Sequence, residues 1–329
     1  MLAFVLRRLA QALLVMLTVG LIAFALFRYV GDPINNLVGQ ETSLAEREAL
    51  RERLGLNDPF FVQYARFLAN AARGDFGFSY IYRRPVAELI AERLPATLEL
   101  SFAAALLALL VGIPMGVYTA LRRRGVLAQG FMMVSLVGVS IPTFLIGILL
   151  ILVFGVLLRW LPTFGRGEVV ELGWWTTGLL TVSGLKALIM PAVTLALFQM
   201  TLIMRLVRAE MLEVLRTDYI RFARARGLKS RTIHFGHALK NTLVPVMTIT
   251  GLQLGSIIAF AIITESVFQW PGMGLLFVQA INEVDIPVMA AYLMLIALFF
   301  VIINLVVDIL YYLVDPRLRA DRAVAHGHG

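Results

Sequence analysis

Few residues of this 329-residue sequence are suited to chemistry, and they lie far apart. Asp308 is a lone carboxylate in an apolar run, a setting in which carboxylates often carry protons. His234 and His237, and again His326 and His328, are spaced closely enough to share a metal ion, but neither pair has a set of carboxylates nearby, and the sequence contains no cysteine. Because no Ser/His/Asp set, carboxylate pair or zinc-protease motif is present either, we expect no catalytic residue and no metal site.

The composition excludes most soluble proteins. Hydrophobic residues make up 60% of the chain and charged residues only 15%, whereas about 25% charged residues is usual for a soluble domain. In so apolar a chain the net charge of +8 does not indicate nucleic-acid binding, because basic residues mainly set the orientation of a membrane protein. An ordinary soluble enzyme and a disordered protein are excluded as well, and a membrane protein is indicated.

Six uncharged runs are long enough to cross a hydrocarbon layer, which takes about 20 helical residues. Pro142, near the middle of the third run, could mark a hairpin, but a hairpin would put the nine basic residues from Arg205 to Lys240 on the outer side. With six crossings and both termini in the cytoplasm, the inner segments hold 17 Lys and Arg against 5 Asp and Glu, and the outer segments hold 12 against 15. This distribution follows the positive-inside rule, so we predict six helices with both termini inside. The runs are Leu9 to Phe27, Leu100 to Leu121, Gly125 to Leu158, Ala187 to Met204, Asn241 to Thr264 and Ile286 to Val307.

The soluble segments complete the predicted organisation. A short helix from Ser43 to Leu54, capped by Ser43 and Glu46, is expected in the outer segment after the first span. Leu172 to Leu185 carries two adjacent tryptophans and is too short to span, so we expect it at the outer membrane interface. The predicted units are the N-terminal end and first helix (1–30), a small periplasmic domain (31–96), a core (97–320) with helices at about 98–121, 130–158, 187–206, 242–265 and 287–313 and an inner loop at 207–241, and a disordered tail (321–329).

The inner loop is the most informative stretch. Its pattern predicts a helix from Met211 to Arg226, a left-handed cap at Gly227 and a second helix from about Ser230. Such a helix could enter a groove in another protein, but lying on anionic lipid would fit the periodicity equally well. The residues that share one helix face are Tyr219, Phe222, Ala223 and Arg226.

Polar and small residues within the fourth and fifth spans point to contacts with protein or water. Gln199 and Gln253 either line a polar pathway through the membrane or form hydrogen bonds between helices. Gly251 and Gly255 have a spacing that permits close helix contact, which we expect with a partner subunit.

Two polar residues lie one turn apart in the sixth span. Asn304 and Asp308 are expected at a subunit interface or beside an arginine such as Arg205 or Arg208. A proton relay through Asp308 is the alternative.

Short stretches along the whole chain form an ordered series. They are Gly31-Asp32-Pro33, Gly74-Asp75-Phe76-Gly77, Leu94 to Leu100, Gly112 to Gly116, Asp218 to Leu228, His237 to Asn241, Thr264 to Gly274 and Asp315-Pro316-Arg317. The series resembles the permease subunits of binding-protein-dependent ABC importers, and most closely the dipeptide, oligopeptide and nickel branch. The resemblance covers essentially the whole chain.

This resemblance implies an all-α membrane protein with a type I ABC importer permease (MetI-like) core, an extra N-terminal helix and a small periplasmic domain. It also implies that the loop helix is a coupling helix, which sits in a cleft of a cytoplasmic ATPase. Ala223 and Gly227 match two positions of the family's loop signature, whereas Arg221 and Phe222 depart from it. The docking residues implied are Tyr219, Phe222, Ala223, Ala225, Arg226 and Gly227.

A second group of residues is implied on the outer side. Glu265 and Trp270 lie in a stretch that resembles the family's outer re-entrant segment, near the substrate path. The same stretch could instead be a rigid turn that closes the fifth helix. With Gln199 and Gln253, these residues are the candidates for the translocation path.

The resemblance further implies a bacterial inner membrane and several partners. They are a second, similar permease subunit, two cytoplasmic ABC ATPases, an external substrate-binding protein and membrane lipid, with no nucleic acid. No lysine of this chain follows a glycine, so a P-loop is excluded, and ATP and Mg²⁺ are expected on the ATPases with no cofactor on this chain. The expected function is ATP-driven import of dipeptides or oligopeptides, without enzymatic activity of its own. A nickel or other small-solute importer is one alternative, and a proton-coupled carrier that uses Asp308 is another.

Overall fold

The computed structural model describes residues 2–29, 44–53 and 56–314, and almost all of its regular structure is helical. The helices are α1 (Leu2–Tyr29), α2 (Leu44–Arg53), α3 (Phe60–Ala72), α4 (Val86–Leu121), α5 (Val126–Ser140), α6 (Thr143–Leu150), α7 (Val182–Val214), α8 (Asp218–Ala225), α9 (Leu239–Phe268), α10 (Met273–Asn282) and α11 (Ile286–Val314). Two π-helical segments, Ile151–Leu157 and Thr232–Ala238, continue α6 and lead into α9. Two short strands, β1 (Val170–Leu172) and β2 (Trp175–Thr177), form the hairpin that the all-α prediction missed.

Four helices in the described ranges are long and apolar enough to cross a membrane unbroken: α1, α4, α7 and α11. The number of candidate spans is six if each of two bent pairs counts as one span, namely α5 with α6, bent by 113°, and the last part of α9 with α10, bent by 73°. Since α4, α5 and α8 place Arg122 to Arg124 and the inner loop at one end of the bundle, we call it the arginine-rich end.

The third predicted span is not one straight helix. Ile141 is extended (φ −93°, ψ 131°), and the helix restarts after Pro142. Steric conflict with a following proline disfavours the helical conformation at Ile141, and proline has no N–H with which to continue the ladder. The two halves nevertheless pack against α7 at positions two turns apart. A Cβ at Gly138 in α5 would lie 2.7 Å from Thr201 Oγ1, and one at Gly147 in α6 would lie 3.4 Å from Thr194 Cγ2.

The chain after α6 meets the end of α9 that lies away from the arginine-rich end. The N–H of Gly165 donates to the carbonyl of Phe268 at 3.0 Å. The third segment therefore begins at the arginine-rich end and reaches the opposite end of the bundle without returning to Arg122.

Glycines allow α4 and α7 to pack backbone against backbone at the centre of the bundle. A Cβ at Gly116 would lie 2.6 Å from Val207 Cβ, and one at Gly112 would lie 2.9 Å from the carbonyl oxygen of Met200. Around this contact the main core includes Leu100, Leu195 and Ile203.

The glycines of α9 also pack within the chain. A Cβ at Gly251 would overlap Val307, and one at Gly255 would lie 2.9 Å from Phe300, both on α11. The predicted contact with a partner subunit is therefore replaced by a contact with the sixth span.

The segment after the first span packs against α1. Tyr64 of α3 donates a hydrogen bond to the carbonyl of Leu17 at 2.6 Å, and Phe24 of α1 meets Phe60 edge to face at 5.2 Å. The predicted short helix is present as α2, whereas its cap Ser43 lies outside the described residues. The described part of 31–96 is thus joined to α1, and α4 already begins at Val86.

The loop before α7 contains the antiparallel hairpin. Leu172 pairs with Trp175, and Trp174 at the turn is 76% exposed, edge to face with Trp175 at 5.5 Å. The predicted interfacial stretch therefore comprises the end of the hairpin and the first residues of α7, which begins at Val182.

Candidate docking helix and buried polar clusters

The inner loop places a short helix, α8, at the arginine-rich end. One helix was predicted from Met211 to Arg226, but α7 ends at Val214 and α8 starts at Asp218. A tight turn separates them, in which the hydroxyl and N–H of Thr217 both donate to the carbonyl of Val214 at 2.6 and 3.1 Å. By hydrogen bonding to nearby backbone, Thr217 satisfies groups that a continuing helix would use, so the helix divides there.

The two faces of α8 differ in burial. Ile220 and Ala223 are buried in the core of the bundle, whereas Tyr219 and Phe222 are 42% and 64% exposed. The guanidinium of Arg226 lies 5.8 Å from the Phe222 ring, within reach of a cation–π contact. The predicted docking face is thus divided: Ala223 faces its own protein, while Tyr219, Phe222 and Arg226, with the exposed Ala225 beside them, face outward.

Gly227 ends this helix as predicted. Its φ of +75° lies in the left-handed region that glycine adopts without strain, and nothing lies within 4 Å of a Cβ built there. The next helix begins at Ser230, also as predicted, and continues as the π-helical segment Thr232–Ala238. Burial, together with the charge of Arg224, holds the pKa of His234 below its ordinary value.

Gln199 and Gln253 lie together in the centre of the bundle. The buried Gln199 amide donates to Ser256 Oγ at 2.9 Å and to the carbonyl of Gln253 at 3.4 Å. These are the interhelical hydrogen bonds of the second interpretation, and they join α7 to α9. A role in the translocation path stays a prediction for both residues.

Glu265 and Trp270 form a buried cluster at the turn between α9 and α10. Glu265 accepts hydrogen bonds from Thr97 Oγ1 at 2.6 Å and from the N–H of Leu275 at 3.0 Å. Trp270 Nε1 donates to the carbonyl of Ala96 at 2.9 Å. Both side chains are almost wholly inaccessible, so in this conformation they fix the turn against α4. Their role near a substrate path stays a prediction.

A buried ion pair that the sequence analysis missed lies on α4 two residues after Thr97. Glu99 pairs with Arg166, and both are buried. Glu99 also accepts from Thr177 Oγ1 at 2.9 Å and from the N–H groups of Gly178 and Leu179 at 3.1 and 3.0 Å. Because a buried carboxylate needs such partners, Glu99 holds the loop before α7 against α4. This loop contains the β1–β2 hairpin, and we call it the hairpin loop. The available signal was its position at the start of a predicted span, where a lone charge needs a partner.

Asp285, the residue before α11, forms the third carboxylate cluster. It accepts from the hydroxyl of Ser79 and from the N–H groups of Tyr80 and Ile81 at 3.3 and 3.4 Å. It thereby binds the turn before α4 to the start of the last span. No sequence pattern relates Ser79 to Asp285, because 206 residues separate them.

Asp308 has an arginine partner, but not one of those predicted. Its oxygens lie 2.9 Å from the guanidinium of Arg8 in α1, so the expected partners Arg205 and Arg208 are replaced by a residue of the first span. Asn304 donates to the carbonyl of Phe300 in its own helix at 2.7 Å. These residues line a cleft of about 220 Å³ between α1 and α11.

No group of three or more His, Asp or Glu side chains is placed to hold a metal ion among the residues that the structure describes. His326 and His328 lie outside these residues.

Comparison with known proteins identifies the family. The family described as "Binding-protein-dependent transport system inner membrane component" matches residues 112–320, and its N-terminal companion family matches residues 1–101. The chain belongs to this family of transport permeases. Multiple apolar helices and an inner-membrane family together make it a multi-pass membrane protein.

Curated relatives align with this permease almost end to end. The dipeptide transport system permease protein DppB of Alkalihalophilus pseudofirmus is 38% identical, covering 97% of this chain and all of the relative. The oligopeptide permease AppB of Bacillus subtilis is 40% identical over 97% of this chain and 99% of the relative. The di/tripeptide permease DppB of Pseudomonas aeruginosa is 40% identical over 98% and 100%.

A solved structure supports the fold. A chain of the MetNI methionine ABC transporter, in an inward-facing form, superposes with a TM-score of 0.54 at 19% identity, covering 69% of this permease and 96% of that chain. At this identity the likeness concerns the fold alone. It agrees with a MetI-like core to which this chain adds an N-terminal helix.

Proposed function

We propose that this chain is one of the permease subunits of an ATP-driven importer of dipeptides or oligopeptides. One observation carries the proposal: three relatives named as peptide transport permeases align with nearly the full length of both proteins. Substrate would be delivered by a binding protein, and a second similar permease would complete the path. None of these three relatives is named for nickel, so the nickel alternative gains no support from them.

The orientation follows from the distribution of charge. The arginine-rich end would face the cytoplasm, with both termini inside, because basic residues near span ends are retained there. The hairpin loop, the turn between α9 and α10 and the described part of residues 31–96 would then face the periplasm. The separate periplasmic domain remains part of this proposal.

Docking of the ATPases is assigned to α8. Its exposed aromatic and basic face (Tyr219, Phe222 and Arg226) projects from the end of the bundle, and buried aromatic and arginine residues contribute most to protein interfaces. Ala223 would contribute by holding α8 on the core and not by touching the ATPase. ATP and Mg²⁺ would be bound by the ATPases, so this chain moves substrate without changing it chemically.

The test is copurification of the ATPases with a charged α8 variant. Phe222→Asp should reduce the ATPase recovered with the permease about tenfold, as expected for loss of a central aromatic contact, and should abolish uptake. Phe61→Asp is the matched control, because Phe61 is 80% exposed but lies on α3, far from α8. Full ATPase recovery and normal uptake with Phe222→Asp would refute the docking assignment.

Ala223→Arg is unsuitable for this purpose. Since Ala223 is buried against the core, a long charged side chain there would disturb folding whether or not an ATPase binds. Gly227→Asp is more informative, because aspartate tolerates the left-handed region and space is open around Gly227. It should reduce ATPase binding with little loss of folded permease.

A further inference from the structure

Among the described residues, one side-chain hydrogen bond joins α8 to α9 across the inner loop. The amide of Asn241, in the first turn of α9, donates to the hydroxyl of Tyr219, the second residue of α8, at 2.6 Å. The two residues are 22 positions apart. This Tyr219–Asn241 link provides a short route between α8 and α9 that does not follow the chain.

The route along the chain is longer and more compliant. It passes through Gly227, whose left-handed backbone has no side chain to restrain it, and then through the π-helical segment Thr232–Ala238. Glycine has the greatest backbone freedom of any residue, and π-helical turns interrupt the regular ladder of a helix. A displacement of α8 could be absorbed along this route before it reached α9.

On its other side α8 is attached firmly to α7. The turn from Leu215 to Thr217 forms backbone hydrogen bonds of 3.0 to 3.1 Å with the last residues of α7. The helix is thus fixed to α7 by the chain. Its connections to α9 among the described residues are shared core packing and the Tyr219–Asn241 link.

We propose that Tyr219 and Asn241 are a positioning pair that passes movement of α8 into α9 when the ATPases close. This inference rests on the proposed function, in which α8 docks on an ATPase. The opposite end of α9 carries Glu265, which binds the turn before α10 to α4. A shift of α9 along its length would therefore act directly on that turn. The pair thus connects the arginine-rich end, where the ATPases would dock, with the opposite end of the bundle.

The test compares transport with ATP hydrolysis in the same proteoliposomes. Tyr219→Phe removes only the hydroxyl and keeps the exposed ring that would face the ATPase. With the complete complex and tritiated alanyl-alanine as probe, the number of dipeptides imported per ATP hydrolysed should fall about fivefold, a common strength of coupling between sites. Asn241→Leu removes the same hydrogen bond from a residue outside the docking face; it should lower this ratio equally, while recovery of the ATPases with the permease stays at the wild-type value.

Two further variants separate coupling from a merely structural role. Asn241→Asp should retain the wild-type ratio, because the Tyr219 hydroxyl can donate to the new carboxylate. In the double variant Tyr219→Phe with Asn241→Asp the number of dipeptides imported per ATP should fall again, because phenylalanine has no hydroxyl to donate. Tyr82→Phe is the matched control, since it removes a hydroxyl from an exposed hydrogen bond, 3.1 Å to Gln279, that lies far from α8.

The outcomes distinguish this inference from the proposed function. If the wild-type permease imports alanyl-alanine with its ATPases but Tyr219→Phe keeps the same ratio, the positioning pair is refuted and the importer assignment stands. If the wild type neither retains ATPases nor imports any peptide, the proposed function is refuted, and the positioning pair is refuted with it.

Discussion

Glu99 and Arg166 form a buried ion pair across 67 residues of sequence, and the carboxylate also receives hydrogen bonds from three consecutive residues of the hairpin loop. One α4 side chain thus determines the position of a loop that contains the Trp174 hairpin. Taking two charges out of water is costly, so the arrangement depends on both partners being present.

Removing one partner of this pair should destabilise the permease strongly. Arg166→Met leaves the Glu99 carboxylate buried without its counter-ion, which costs about 3 to 5 kcal/mol in comparable sites. The thermal unfolding midpoint in detergent should fall by several degrees, with increased proteolysis of residues 167–180. Arg84→Met is the matched control: Arg84 pairs with Glu92 at 2.5 Å in solvent, where the carboxylates raise the pKa of Arg84 but the pair adds little stability. Equal effects of both substitutions would contradict the assignment.

Contact between α4 and α7 should not tolerate a methyl group. Gly116→Ala places its Cβ 2.6 Å from Val207 Cβ, and such overpacking typically costs about 1 to 3 kcal/mol. Gly130→Ala on α5 has no neighbour within 4 Å, and the helix propensity of alanine should leave it unchanged or stabilise it by about 1 kcal/mol. Thermal unfolding of both variants checks the difference, and a neutral Gly116→Ala would show that the helices are less closely packed.

Uptake should survive loss of the Asp308 charge. Asp308→Asn keeps the shape of the side chain but removes its ion pair with Arg8. The two side chains are 16% and 42% exposed, so the expected loss of stability is smaller than for the fully buried Glu99–Arg166 pair. ATP-driven uptake in proteoliposomes should remain near the wild-type rate, and a proton gradient without ATP should drive none. Arg8→Gln should reduce stability by the same amount as Asp308→Asn, and the double variant should be little less stable than either single variant. Complete loss of uptake in Asp308→Asn alone, with ATP hydrolysis intact, would favour the proton carrier.

The loop around His234 should loosen in acid. Burial and Arg224 lower the pKa of His234 in the folded state, so below its ordinary value of 6.5 the unfolded segment binds more protons than the folded one. Stability of the segment is therefore retained above pH 6.5 and lost as the pH falls below it. Amide exchange of residues 228–238 should be faster at pH 5.5 than at pH 8, after correction for intrinsic rates. His234→Gln should abolish this difference, whereas substitution of the exposed His237 by Gln should leave it in place.

The tryptophan at the hairpin turn should reach the membrane interface. Trp174 is 76% exposed in the isolated chain, and tryptophan favours the headgroup level of a bilayer. Lipids brominated near the headgroup should quench wild-type fluorescence more than lipids brominated near the chain end, and Trp174→Phe should remove much of the difference. Quenching of Trp174 by aqueous iodide but not by either lipid would place the hairpin in water.

Much of this architecture is accessible from sequence because it depends on local properties. Apolar runs locate the spans to within a few residues at most ends. Gly227 follows the end of α8 and Ser230 begins the next helix, both as predicted. The course of the third span was not predicted, since apolarity reports length but not direction, and Pro142 is compatible with either a kink or a break.

Features that depend on distant partners escaped prediction. Glu99, Asp285 and Asp308 all needed a counterpart from another part of the chain, and for Asp308 the arginines of the inner loop were expected instead of Arg8. The division of α8 into a buried and an exposed face also depends on the surrounding bundle, which is why Ala223 was assigned to the outward side.

Two buried carboxylates, Glu99 and Asp285, also constrain how the chain can be assembled during synthesis. Glu99 emerges before its partners at 166–179, and Ser79 emerges about two hundred residues before Asp285. Until the later residues are made, the early groups must remain hydrated, because hydrocarbon offers them no alternative partner. The end of α4 that lies away from the arginine-rich end is therefore not held by these contacts at first, and the contact between Ser79 and Asp285 forms only after the start of α11 has been made.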